Sequence, residues 1–315
     1  LEITDAASVR SADEAVRQRA TEQDWPGQVC RQGAVRRIVV NEIDDAAFHG
    51  LPGTSCVVPR VESQLVDWLE NLSAATDPRT AGDDVASAMA SLFDEYVRAG
   101  YGGVMTSIEP FKALDGPLTL PRDAQVSIGA DRASHEAFLL HTLCRLAEEN
   151  GLFVQFFLGS AGGWGGGRVP VNDPLRILRL YGLFERYDCP FELVLGTNLN
   201  NVDAVQAAVI FPHVHVGGMW WYNFRAGTYR ESMQYRLEAL PPTKSPIVVS
   251  DARCIEWCYG KVVLIKHLLA DFLADQIARG WLDGDTAVWV AREWLHGAAA
   301  SRYGGPREIR HPGAR

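Results

Sequence analysis

Residues 153–158, Phe153-Val154-Gln155-Phe156-Phe157-Leu158, are apolar at every position but one. A strand with one wet face alternates apolar and polar side chains, so a run this continuous needs cover on both faces. A parallel sheet with helices packed on its outer side provides that cover. Short β-branched or aromatic runs of the same kind recur at 38–40, 55–58, 103–106, 191–195, 213–216 and 247–250.

Helical patterns lie between most of these runs. Over 83–99, Val85, Met89, Leu92, Phe93 and Tyr96 fall at helical spacing and Gly100 supplies a stop. Further helices are predicted over 61–72, 134–149, 174–187, 203–211, 225–240, 259–279 and 285–299. At the start, Ser11 is read as the N-cap of a helix over 12–21, followed by a turn at Pro26-Gly27.

Strand and helix alternate throughout, and seven strands are one short of a closed (β/α)8 barrel of the TIM type. Because the chain opens on Leu1 rather than Met, strand one is expected upstream and the seven runs count as strands two to eight. A doubly wound open sheet would carry a glycine-rich phosphate turn after its first strand, and none follows Val40. The expected division is a lead-in helical segment at 1–35, barrel strands and helices at 36–304, and an unstructured tail at 305–315.

The bulk composition limits the function. The chain has 315 residues, 47% of them hydrophobic, enough for a large core. A net charge of -9 and a pI near 5.4 argue against a nucleic-acid or anionic-membrane surface. An acidic substrate would then have to be held by a few local arginines. Cys30, Cys56, Cys144, Cys189, Cys254 and Cys258 form no C-x-x-C pair, so they are read as reduced core thiols. No apolar run reaches membrane-spanning length, and a cytoplasmic setting is the default expectation.

In a barrel the chemistry sits where strands end and loops begin. The run at 247–250 ends in Asp251-Ala252-Arg253, a carboxylate and a guanidinium two residues apart. Such a pair suits a general base or metal ligand beside an anion grip, and equally suits a structural ion pair closing the barrel. The run at 213–216 leads into Gly217-Gly218-Met219-Trp220-Trp221-Tyr222-Asn223, whose rings would make a shallow wall for a sugar. His213 and His215 alternate as a metal pair would, but they lie inside the strand and are read as core or helix-facing. Arg60 follows the run at 55–58, with Glu62 beyond it. Residues 159–167, glycine-rich but lacking a Lys-Ser/Thr step, read as a mobile barrel loop rather than a phosphate cradle.

These motifs, taken in order, resemble the uronate (glucuronate) isomerase family of the amidohydrolase superfamily. The family pattern is Trp-Trp-Phe-Asn, then Asp-Ser-Arg, then a last helix ending near an Arg-Tyr pair. Here those positions read Trp220-Trp221-Tyr222-Asn223, Asp251-x-Arg253 and Arg302-Tyr303, with weaker echoes at Asp44-Asp45, Pro59-Arg60 and 155–159. The resemblance implies an aldose–ketose isomerase of hexuronates such as glucuronate or galacturonate. Asp251 would be the proton-transferring carboxylate or a metal ligand. Arg253 and Arg60 would hold the sugar acid, with Trp220, Trp221 and Asn223 lining the pocket. It also implies a divalent metal, Zn or Mn, and a homo-oligomer.

The metal implication meets an obstacle in the residues themselves. The family's strand-five histidine falls on Phe157, its Asp-His step after strand four on Met105-Thr106, and its His-x-His pair on a strand this sequence does not contain. Two alternatives follow: a lyase, hydratase or epimerase acting on another carboxylated metabolite, or a barrel that binds a sugar acid without turning it over.

Overall fold

The computed structural model describes residues 3–41, 55–107, 114, 118–122, 124, 126–158, 160–162, 168–170, 175–198, 200–220 and 225–303. Its frame is a line of parallel strands. β1 (Ile38–Val40) pairs with β2 (Ser55–Val57), and Val58 extends the pair by donating to the Val40 carbonyl. β3 (Gly103–Ser107), β4 (Phe153–Leu158), β7 (Phe191–Leu195) and β8 (Val214–Met219) follow in spatial order. A parallel bridge between Arg60 and Met105 joins the two groups, with Met105 N–H donating to Pro59 and Val61 N–H to Met105.

Between β4 and β7, β5 (Ser160–Gly162) and β6 (Arg168–Pro170) form a small antiparallel hairpin outside this line. Of the loop expected over 159–167, Ser160–Gly162 instead form β5, paired with β6, and the remaining residues of that stretch lie outside the described residues.

Alternation of side chains divides the core into two layers. Val104, Val154, Phe156, Leu193 and Val216 point outward and pack on the helices. Each contributes about 1.5–3 kcal/mol by leaving water. Inward, Val58, Met105 and Phe153 pack around Tyr303, with Phe157 half-buried beside them.

The covering helices have ordinary sequence causes. α4 (Pro78–Arg98) starts on the Asp77 cap with Pro78 in its first turn and gives way to Gly100 at φ +79°. In α5 (Arg132–Glu149), the Asp131 carboxylate accepts from Ser134 N–H at 2.8 Å.

Two expectations about the first helices fail. α1 (Ala6–Arg19) begins six residues earlier than expected, because Asp5 and Ser8 form a reciprocal capping box that outcompetes Ser11. Pro26 and Gly27 are not a turn but lie in α2 (Trp25–Gly33), since proline fits the first turn of a helix.

Closure of the expected barrel is not seen among the described residues. Among the described residues six strands are joined edge to edge, and 247–250 forms no backbone ladder with β8. That run is tied in by other means. The fully buried Arg236, on α8 (Ala226–Ala239), donates to the carbonyl of Gly217 at 2.8 Å and to Ser245 Oγ at 2.9 Å. Tyr229 donates to the Ile247 carbonyl, and Ile247 N–H donates to Trp294 at 3.1 Å. A guanidinium strut thus stands where strand-to-strand hydrogen bonds were expected.

Gly218 makes the close approach possible, because a Cβ there would sit 2.3 Å from the Val249 side chain. Among the described residues no helix is long and apolar enough to cross a membrane.

Candidate functional site

The C-terminal ends of the parallel strands define one rim of the sheet, and Arg60 and Trp220 follow strands at that end. Arg60 leaves β2 half-buried, fixed by its bridge to Met105. Trp220 follows β8 and donates its backbone N–H to the Leu195 carbonyl at 2.9 Å. Its indole stands edge-on to Phe157, with ring centroids 5.5 Å apart.

Asp251 follows the last apolar run at φ +48°, in the left-handed region, and both it and Arg253 are exposed. Trp221, Asn223 and the Asp44-Asp45 step lie outside the described residues. Arg60 and Trp220 each follow a strand, and Asp251 and Arg253 follow the extended run that Arg236 tethers beside β8.

The two histidines of the 213–216 run diverge. His213 precedes β8, donates its ring Nε2–H to the Phe184 carbonyl at 2.9 Å, and packs on Phe191 and Phe211 outside the sheet; burial lowers its pKa. His215 lies in register with Glu192. They are not a metal pair. Among the described residues no group of three or more His, Cys, Asp or Glu side chains comes together as metal ligands.

At the strand-five position Phe157 offers only a hydrocarbon ring, engaged with Trp220, so the residues present do not fit the expected zinc or manganese site. Of the thiols expected in the core, Cys56 is only half-buried and Cys254 is exposed, at the N-cap position of α9 (Ile255–Ala278) without a side-chain capping bond; α9 begins before the expected 259.

Within the sheet lies a polar network in which Tyr303 and Gln155, noted in the sequence only for their resemblance, join Asn41 and Glu192, which the sequence reading did not single out. Asn41 donates to Gln155 at 3.0 Å and Gln155 donates to the Tyr303 hydroxyl at 2.9 Å. Tyr303 in turn donates to the Glu192 carboxylate. Gln155 and Glu192 are register partners on β4 and β7 and both are buried.

Burial pushes Glu192 upward, while the charge of Arg302 and the hydrogen bonds from Tyr303 and Gln155 pull the other way. Gly217 leaves room for this carboxylate, since a Cβ there would lie 2.7 Å from Glu192 Oε1. The signal was present: one polar residue in each of two otherwise apolar strands.

Comparison with known proteins adds to this geometry. No protein-family model matches the sequence, and no curated protein matches it. Solved structures do. A uronate isomerase from Thermotoga maritima superposes with a TM-score of 0.67 at 13% identity, over 88% of this chain and 69% of that one. The chain has a uronate isomerase-like fold.

A uronate isomerase from Bacillus halodurans gives a TM-score of 0.66 at 16% identity, over 90% of this chain and 69% of its own. A Lactobacillus casei protein described as a metal-dependent hydrolase gives 0.64 at 12% identity, over 91% of this chain and 78% of its own. At such identities the likeness concerns architecture: an α/β fold with parallel strands, built like the barrel of these enzymes.

Proposed function

We propose that the chain is an isomerase-like enzyme that interconverts the aldose and ketose forms of a hexuronate of the glucuronate or galacturonate type. What supports this reading is Asp251-x-Arg253 following the last apolar run of a chain with a uronate isomerase-like fold, in which Arg60 and Trp220 follow β2 and β8.

Asp251 accepts the proton from C2 of the open-chain aldehyde, leaving an enediolate, and returns a proton to C1. The C2 hydroxyl gives up its proton to become the ketone, and the C1 oxygen takes one up to become a hydroxyl. Arg253 and Arg60 pair with the substrate carboxylate and the developing oxyanion, and Trp220 offers a flat apolar face, with Trp221 and Asn223 completing the pocket. Phe157 stands where the family's metal ligand would be, and the proton transfer is carried by Asp251.

Incubation with glucuronate and with galacturonate, assayed for the corresponding keto acid, tests the proposal. Product with either supports it; none with both, at enzyme concentrations in the micromolar range, removes it.

Phe157 and the Met105-Thr106 step favour one second reading, a barrel that binds a sugar acid without turnover. Calorimetric binding of either uronate by a chain that makes no product would select that reading.

A further inference from the structure

Ser107, the last residue of β3, is only 3% exposed, and its hydroxyl oxygen has no hydrogen-bond partner among the described residues. Buried hydroxyls in folded proteins find a carbonyl, a side chain or a water, because one left alone carries its full desolvation cost. The neighbouring Thr106 shows the ordinary solution, donating its own hydroxyl to the Ser107 carbonyl at 3.0 Å.

Strand register fixes where the Ser107 hydroxyl points. Val104 packs outward on the helices and Met105 packs inward, so alternation turns Ser107 inward on the same face as Met105. Its register partner is Phe157 on β4, whose ring centroid lies 5.5 Å from that of Trp220. On the other side Arg60 bridges to Met105, two residues before Ser107. Ser107 therefore stands at the C-terminal end of its strand, the end at which barrels bind ligands, between an arginine after one neighbouring strand and an aromatic pair reached through the other.

On the reading of this site as a sugar-acid pocket, we propose that Ser107 is a substrate-binding residue: its hydroxyl bonds a hydroxyl of a sugar acid that is seated against Phe157 and Trp220 with its carboxylate toward Arg60. Each surface then has its own task, the cation for the carboxylate, the rings for the carbon chain, and the neutral hydroxyl for a hydroxyl. Serine suits that last partner because it both donates and accepts. The side chains of Met105 and Phe157 beside it cannot compete for the bond with any strength, being a thioether and a hydrocarbon ring.

Stability and binding test the assignment together, with L-gulonate and L-galactonate as probes. These are glucuronate and galacturonate with the aldehyde reduced to an alcohol, so they keep the carboxylate and the hydroxyls but cannot isomerise. Ser107→Ala deletes the hydroxyl and nothing else. The urea midpoint is expected to stay unchanged or rise, because the folded chain does not use that group, while calorimetric affinity for at least one probe falls by roughly three- to tenfold.

Unchanged affinity in Ser107→Ala would overturn the proposal. So would a lowered urea midpoint, which would show that the protein itself satisfies the hydroxyl, or failure of the unaltered chain to bind either probe. Turnover decides the isomerase reading separately. A chain that binds a probe but makes no keto acid from glucuronate or galacturonate is no isomerase of these sugars, and a binding loss in Ser107→Ala would still support the assignment of Ser107.

Discussion

The phenol of Tyr303, in the last helix, donates to the carboxylate of Glu192 in β7, 111 residues away in the chain. Both groups are buried, so the bond ties the C-terminal helix to the inside of the sheet at a point where water cannot substitute for it. The Arg37 side chain of the segment leading into β1 also donates to the Tyr303 carbonyl, so one residue links β1, the middle strands and the last of the described helices.

Removing that hydroxyl exposes the cost of a buried carboxylate. Tyr303→Phe is expected to destabilise the fold by about 1–3 kcal/mol in urea unfolding, because Glu192 loses its closest donor. Combining it with Glu192→Gln should recover part of the loss, since a neutral amide needs less compensation.

The buried strut is the second test. Arg236 donates to Gly217, Ser245 and further carbonyls of the adjoining runs, replacing the missing strand pairing. Arg236→Lys keeps the charge but not the fork, and is expected to cost about 2–4 kcal/mol. Faster amide exchange at 245–250 than in β8 would show that the loss is local to the tethered run.

Acid sensitivity has an identifiable source. His141 is buried against the Tyr187 hydroxyl at 3.1 Å, and burial lowers its pKa from 6.5 to about 4. Above pH 6.5 the folded and unfolded chains both hold it neutral. As pH falls from 6.5 toward 4 only the unfolded chain takes up the proton, so stability declines across that window, by at most about 3 kcal/mol in full. His141→Phe should flatten this part of the pH–stability curve; a curve of unchanged slope would exclude His141 as the source.

Much of the architecture was legible because it follows from periodicity. Continuous apolar runs such as 153–158 require cover on both faces, and the helices between them carry their own stripes and caps. The closure was not legible, since nothing in 247–250 distinguishes a hydrogen-bonded strand from an extended run held by an arginine on a helix behind it.

The first helix was misplaced because a reciprocal capping box at Asp5 and Ser8 is worth more than a lone serine at 11. Among the site residues, Arg60, Trp220, Asp251 and Arg253 could be picked out from their place after apolar runs. Glu192 was passed over as an interruption of a strand, because burial of a charged group becomes visible only in three dimensions.

Proton transfer by Asp251 is the central claim, and proton nuclear magnetic resonance of glucuronate and galacturonate in D2O tests it most directly. With the unaltered chain, at least one of the two should become its keto acid with solvent deuterium incorporated at C1, and Asp251→Asn, folded to the same degree, should abolish both conversion and exchange. Uronates that stay unconverted and unexchanged with the unaltered chain, or conversion that persists in Asp251→Asn, would contradict it.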